Sequence, residues 1–446
     1  MRQSGSDELL DAVLRETIPM YGRMVHTLDS KGSPSEEAQQ YDVHGRYQRA
    51  VDRANLNKIF LDQLERCTNV TLFFHHKLTG VDFEGRKAWF EQKWQPPQAI
   101  ERPREVEAEF DVILGCDGAH SSTRYHMMKY LRMDYEQNYI DVLWSEFIIP
   151  PVENPDDTLG TTPSAKDGFA TSPNHLHIWP GKDNMFIAIP STDRSFTCTL
   201  FAPSATFSQL EEEPHRVEPF FQTNFPGAAD LIGPHIRKQF ETNPHLPLIS
   251  IKCSPHCYKS SGVILGDAAH AMVPFYGQGM NAGLEDVRVL FQQLDQHPST
   301  IEGRSAALAS YNCERVPDAH TINDLALDNY WEMHAGVQSP AYLLRKNVEE
   351  FLSDKVPSTG FDTQYSRVSF SNQRYSEVSK SVERQRKILI GSMVASLLVP
   401  ATGWAAWWLS LWNRAGRPAK GSLKMSWGLR ELPGIITSWI SQLRGR

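Results

Sequence analysis

Cysteine is scarce: the 446 residues contain six, at positions 67, 116, 198, 253, 257 and 313, with no CxxC pair and no signal-peptide pattern ahead of them. A disulfide framework and a zinc ribbon are therefore not expected, and the chain reads as one from a reducing compartment. The nearest pair, Cys253 and Cys257 around His256, has no second half at ligand spacing and reads as ordinary strand residues. Positive charge is also in deficit. With 45 Lys and Arg against 53 Asp and Glu, the net charge is −8, and no overall basic field exists to hold a nucleic acid backbone. A mean hydropathy of −0.42 excludes a polytopic membrane protein. Residues are 40% hydrophobic and 22% charged, with 28 Gly and 28 Pro, which fits neither disorder nor a collagen-like repeat and leaves a globular chain of about three units.

One long apolar run is present. Residues 388 to 412 are 25 positions without a charge, and about 20 suffice to cross a bilayer core. Lys380, Arg384, Arg386 and Lys387 flank one end and Arg414, Arg417 and Lys420 the other, while Trp404, Trp407, Trp408 and Trp412 suit an interfacial belt. A membrane segment is expected, with two alternatives left open by Pro400 and Gly403: half-helices in the interface, or a buried helical hairpin. The stretch from Trp427 to Ile440 is expected to lie on the same membrane.

Residues 1 to 28 read as mixed helix and turn, and 29 to 40 (DSKGSPSEEAQQ) as a polar loop. Over 51 to 67, Leu56, Ile59, Phe60 and Leu64 recur at helical spacing behind Asp52 or Asn55 as caps. Segments 70–74, 87–90 and 110–114 read as strands, with 94–109 a polar hairpin excursion. From His175 three short strands separated by turn residues predict an antiparallel meander. Residues 204–247 read as helical and loop-rich with Phe220, Phe221 and Phe225 in the core; strands follow at 248–253 and 263–265, then helices at 281–296 and 304–333.

The chemistry is concentrated in VILGDAAHAMVPFYGQGMNAGLEDVRVL, residues 263 to 290. A carboxylate at the strand's end, Asp267, can accept hydrogen bonds from a polyol chain, and the small residues after it let backbone approach a flat ligand. The helix starting near Asn281 would aim free N–H groups of Gly279, Met280 and Asn281 at whatever precedes it, favouring negative charge there. A second string, FDVILGCDGAHSSTR at 110 to 124, runs from strand into a Cys-Asp-Gly turn. Together these strings resemble the flavin and DG motifs of the single-component FAD aromatic hydroxylases. YGRMVHTL (21–28), VDRANLNK (51–58), HLHIWP (175–180), SFTCTLF (195–201) and YSRVSFSNQRYSEV (365–378) extend the resemblance to the fungal kynurenine 3-monooxygenases.

That resemblance implies an α/β fold: a Rossmann-like mixed sheet for FAD, a second antiparallel sheet for substrate, and a C-terminal membrane segment. The expected division is 1–135 and 256–330 for FAD, 136–255 for substrate, 331–385 helical, and 386–446 anchor and tail. The implied activity is hydroxylation of L-kynurenine to 3-hydroxykynurenine with FAD, NADPH and O2, at the mitochondrial outer membrane with the body facing the cytosol. No catalytic side chain and no metal are implied. Arg23 offers a planar charged fork for the substrate carboxylate, with Tyr41 beside it; Tyr375 is a further substrate contact, and Gln338 stands where the family places an asparagine. For FAD the resemblance maps onto Arg53, Leu78, Ser122, Asp267, Met280 and Asn281. Phe201, Phe275 and Tyr276 are expected as apolar walls that exclude water, and His270 as a structural hydrogen-bonding residue.

The Gly-rich GxGxxG turn between a strand and a helix, which should cradle the FAD pyrophosphate, is missing: the first glycines are Gly5 and Gly22, with no apolar strand before either. The expectation is that Met1 is an internal methionine of a longer protein and that this polypeptide alone binds FAD weakly or not at all. Two other readings stay open, a membrane-anchored non-catalytic module and an FAD hydroxylase for another aromatic substrate.

Overall fold

A computed structural model describes residues 6–93, 104–152, 161–331 and 340–392. The chain divides into two compact units, Met1–Gly336 and Val337–Arg446.

The first unit opens with α1 (Asp7–Arg15), whose N-terminus Ser6 caps by accepting from the Leu9 N–H at 3.1 Å. Strands β1 (Thr17–Met20), β2 (Gly22–Leu28), β3 (Pro34–Gln40) and β4 (Gln48–Val51) follow, then α2 (Arg53–Glu65), capped by Asp52. This corrects two expectations. Residues 1–28 are not simply helix and turn, and the polar stretch 29–40 is no loop beyond Ser33. The Asp29 carboxylate accepts from the N–H groups of Lys31 (2.8 Å) and Ser33 (2.9 Å) and folds the chain back, so β3 pairs with β2 from Gly22↔Gln40 to Leu28↔Pro34. An edge strand needs no apolar side chains, because its ladder and not its burial holds it.

Strands β5 (His76–Asp82), β6 (Lys87–Gln92) and β7 (Glu105–Glu109) form an antiparallel sheet. The last five residues of the expected polar excursion are thus a strand, and residues 94–103 lie outside the described residues. The expected strand at 70–74 is absent: Phe73 and Phe74 are exposed, and the ladder starts only at His76↔Gln92. Next come β8 (Ile113–Gly115) and α3 (Ser122–Met127).

The large sheet adds β9 (Asp134–Ile149), β10 (His175–Pro180), β11 (Met185–Pro190), β12 (Phe196–Ala202) and β13 (Leu246–Ser254), in the order β13-β9-β12-β11-β10-β2-β3. The expected meander is β10–β11–β12, but the sheet is mixed and not purely antiparallel, because β2 joins β10 in parallel. Alternation along these strands sorts the residues by face. One face carries His26, His177, Trp179, Phe186, Ala188, Cys198 and Leu200, all buried. Its apolar members pack with residues of α4 (Ser204–Glu212), α5 (Val217–Asn224), α6 (Ala228–Ile232) and α7 (Ile236–Thr242) into one core that also holds Phe147, Phe221 and Phe225. The other face carries Arg23, Val25, Leu176, Ile187, Thr199 and Phe201, of which all but Phe201 are only half-buried.

The remaining sheet is β14 (Cys257–Tyr258), β15 (Gly262–Ile264) and β8, with α8 (Asp267–His270), α9 (Gly279–Gln296) and α10 (Ile301–Trp331) following. Val263 and Leu265 pack with Val289, Leu290, Leu308 and Tyr311 of α9 and α10, and Ile264 with Val81, Phe83 and Met127. In the second unit, α11 (Pro340–Lys355), α12 (Gln364–Phe370) and a helical stretch over 375–392 are described. Most of the expected membrane segment, 393–412, and Gln338 lie outside the described residues. Among the described residues no helix is long and apolar enough to cross a membrane.

Candidate active site

Strands β8 and β15 run parallel from Gly262↔Ile113 to Ile264↔Gly115, and the Leu265 N–H donates to Gly115 O at 3.0 Å. Their C-terminal ends release two turns side by side, Cys116-Asp117-Gly118 and Gly266-Asp267, and crevices at such ends take ligands in open α/β sheets. The Asp117 carboxylate is spent on the scaffold: it accepts from Ser121 Oγ (2.5 Å), Thr123 N (2.9 Å) and Thr123 Oγ1 (3.0 Å). Arg124, buried, donates to the carbonyls of Ala119 and Ala268, both at 2.6 Å, and so ties the two turns together. Ser122 Oγ donates to Leu78 O at 3.1 Å, which brings two of the expected FAD residues into contact.

Gly266 sits at φ 56°, ψ −139°, a region open in practice only to glycine, and from it the chain turns sharply into α8 with Asp267 exposed. Pro274–Tyr276 form one 3-10 turn that Gly277 closes at φ 68°. Helix α9 then starts at Gly279 with no side chain capping its N-terminus, and Met280 and Asn281 are exposed on its first turn. An uncapped 18-residue helix presents N–H donors and a positive dipole end. Arg53 is exposed on the first turn of α2.

Beneath this surface lies a buried charge cluster. Asp286, fully buried on α9, accepts from Gly266 N (2.8 Å), His270 Nε2 (2.5 Å) and Arg315 Nε (2.8 Å). Arg315, on α10, also reaches Glu285 at 3.0 Å and Asp318 at 3.6 Å. Burial alone would raise the Asp286 carboxyl, but His270, Arg315 and the Gly266 N–H outweigh it and hold it below the usual carboxylate range. His270 is thus structural, as expected from the sequence.

The half-buried face of the large sheet forms the other wall. The Arg23 guanidinium stands 6.0 Å from the ring centre of Tyr41, which follows β3 directly. The Phe201 ring lies 5.1 Å from that of Phe275, and Phe275 in turn 4.7 Å from Tyr330 of α10, so an aromatic bridge joins the sheet to the turn before α9. Tyr276 is buried. Tyr375 belongs to the second unit, where it is buried. Arg124, Asp286, Arg315 and Tyr330 were not among the expected site residues. The signal for Asp286 was readable: it falls in the stripe Ala282, Asp286, Val289, Leu290, an acid at a core position of an amphipathic helix.

The residues present fit the isoalloxazine end of a flavin: an exposed carboxylate at a strand end, small Ala268 and Ala269 behind it, and an uncapped helix start facing a glycine turn. Comparison with known proteins agrees. A family model described as an FAD binding domain matches residues 255–326. Among solved structures the fold is similar to 2-methyl-3-hydroxypyridine-5-carboxylic acid oxygenase, with a TM-score of 0.54 at 16% identity over 75% of this chain and 80% of that one. It is also similar to Klebsiella pneumoniae HpxO complexed with FAD and uric acid, with a TM-score of 0.52 at 17% identity over 78% and 80%. In sequence the chain is 56% identical to kynurenine 3-monooxygenase of Chaetomium globosum over 404 residues, 87% of this chain and 83% of the relative. With the Neurospora crassa kynurenine 3-monooxygenase it shares 54% identity over 438 residues, 94% of this chain and 84% of that protein, and on that likeness the chain belongs to the kynurenine 3-monooxygenase family.

Proposed function

We propose that this protein is a flavin monooxygenase that hydroxylates L-kynurenine to 3-hydroxykynurenine. The observation that carries the reading is the pairing of the Asp267–α9 surface with a sheet face on which Arg23 and Tyr41 lie together. Bound there, FAD supplies the redox chemistry, passing electrons from NADPH to O2 so that one oxygen atom reaches the aromatic ring and the other leaves as water. Asp267 would accept from the ribityl chain, the N–H groups at Gly279 to Asn281 would face the electron-rich edge of the ring system, and Ser122 with Leu78 would serve the rest of the cofactor, with Arg53 directed to phosphate.

The protein's own work is placement and exclusion of water. Kynurenine carries a carboxylate, and Arg23 offers it a planar, permanently charged fork with the Tyr41 hydroxyl alongside. Phe201 and Phe275 wall the aromatic end and keep it dry. Tyr375 is kept as a further substrate contact on the resemblance alone. The uncharged run 388–412 and its basic flanks support membrane attachment, and the mitochondrial outer membrane, with the body toward the cytosol, rests on the family resemblance.

The test is kynurenine-dependent NADPH oxidation with 3-hydroxykynurenine as the detected product. Arg23→Lys keeps the charge but loses the fork, and should raise KM for kynurenine about 10- to 100-fold with the melting temperature unchanged. An unaltered KM would remove Arg23 from the site, and no product from the flavin-loaded protein would remove the activity.

A further inference from the structure

The last turn of α10 is fastened to the short turn that carries Phe275. Asn329 Nδ2 donates to the Phe275 carbonyl at 2.9 Å, and the ring of the next residue, Tyr330, lies 4.7 Å from the Phe275 ring at an interplanar angle of 35°. Tyr330 belongs to the buried stripe of α10, behind Asn323 and Ala326, and Asn329 sits half-buried on its flank. Asparagine is a poor helix former, because its amide competes for backbone groups. At 323 and 329 that amide is directed out of the helix, to carbonyls of the segment that leads into α9: Asn323 Nδ2 reaches Ala271 O at 3.3 Å, and Asn329 Nδ2 reaches Phe275 O.

Phe275 needs such support. Pro274–Tyr276 is one 3-10 turn closed by a single hydrogen bond, Gly277 N to Pro274 O at 2.9 Å, and a turn of that length has no cooperativity to hold its shape. The closing bond does not use the Phe275 carbonyl, which the Asn329 amide takes instead. Among the described residues the half-buried Phe275 ring meets two other rings, Phe201 of the sheet at 5.1 Å and Tyr330 of the helix. Helix α10 therefore holds both the main chain and the side chain of Phe275. Arg23 and Tyr41, in contrast, are placed by β2 and the end of β3. The two ends of the site rest on different supports, the carboxylate end on the sheet and the aromatic end on the helix.

We propose that Asn329 and Tyr330 are positioning residues for the substrate's aromatic ring. They act through Phe275, Asn329 by the main chain and Tyr330 by the ring, and so set the apolar wall against which the aryl group stops. The inference rests on the reading of the site given above, in which Phe275 walls the aromatic end.

The test is a double-variant cycle read by calorimetric binding of L-kynurenine to the full chain in detergent with FAD present. Asn329→Ala should weaken binding about 3- to 10-fold, the range of one lost hydrogen bond, with the melting temperature nearly unchanged. Asn329→Asp, of the same shape but without the donor, should weaken it at least as much. In the Phe275→Ala background, itself weaker, Asn329→Ala should have less than about a 1.5-fold effect, because the residue through which it acts is gone. Tyr330→Leu should behave like Asn329→Ala, and Tyr330→Phe, which keeps the ring, should bind as the unaltered chain does. A residue that only stabilised the end of α10 would act equally in both backgrounds, so an additive cycle would overturn the proposal. Undiminished binding by Asn329→Ala, or equal losses in Tyr330→Phe and Tyr330→Leu, would do the same. Absence of kynurenine binding by the unaltered chain would instead remove the reading of the site itself, and the inference with it.

Discussion

The large sheet and the turn at Gly266 are held by opposite means. Under the sheet, Phe147, Trp179, Phe186, Phe221 and Phe225 are all fully buried with their rings linked by contacts, and the stabilisation is apolar area removed from water. Under the turn, one carboxylate, Asp286, gathers Gly266, His270 and Arg315. Apolar packing is non-directional and tolerates adjustment, whereas hydrogen bonds to a buried charge fix angles as well as distances. A platform that presents a broad face can be built the first way. A turn that must set one carboxylate and one helix start against a ligand needs the second.

Breaking the charge cluster should have the largest effect. Asp286→Ala leaves the Arg315 guanidinium buried with its main partner gone, at a cost of about 3–5 kcal/mol in chemical denaturation. The contrast sharpens in a double variant: Asp286→Leu with Arg315→Met should recover part of that stability, since apolar replacements of a buried pair are often tolerated. It should not recover flavin affinity, followed by flavin fluorescence in a direct titration that also reads weak binding, because nothing then holds the Gly266 N–H. Recovery of both would mean that the cluster merely fills space. In the sheet, Phe186→Ala should cost a similar 3–5 kcal/mol, but Phe186→Leu only about 1 kcal/mol, and neither should change the KM for kynurenine by more than about twofold. Its neighbour Ile187 lies on the opposite, half-buried face; Ile187→Ala should cost less than Phe186→Ala and act on KM instead.

The two regions also differed in how far they could be read from sequence. The meander β10–β12 was legible because Gly-Lys-Asp-Asn and Ser-Thr-Asp-Arg separate alternating strands, and the site turn because GDAAH and PFYGQGMNAG are specific strings. What escaped was set by partners distant in the chain. Residues 34–40 are polar and look like a loop, yet β2 supplies a ladder and Glu36 points toward His26. Phe73 and Phe74 look like strand residues, yet no ladder reaches them in the structure. Asp117 stands in the turn beside that of Asp267, but Ser121 and Thr123 occupy its oxygens, which only the fold reveals. Local propensity could not show that β2 would choose β10 in parallel, because that choice depends on a strand about 150 residues away.

His256 gives the smallest and most selective test of the charged region. It is fully buried, 6.2 Å ring to ring from His270, and among the described residues neither ring nitrogen meets a hydrogen-bond partner. Burial lowers its pKa from 6.5 to about 3, so the folded chain keeps it neutral while the unfolded chain protonates it near 6.5. Between those values the unfolded state binds more protons, so this contribution is complete above pH 6.5 and is lost as the pH falls toward 3, at up to about 1.4 kcal/mol per pH unit. His256→Leu removes two unsatisfied nitrogens but leaves the backbone bonds from Ile264 N (2.9 Å) and to Asn312 Oδ1 (2.7 Å), so stability at pH 7 should be equal or higher. Denaturation curves at a series of pH values should then show the variant's acid slope shallower by about one proton. An unchanged slope would mean that the acid sensitivity of this region belongs to the Asp286 cluster, and that the neutral imidazole beside it only fills volume.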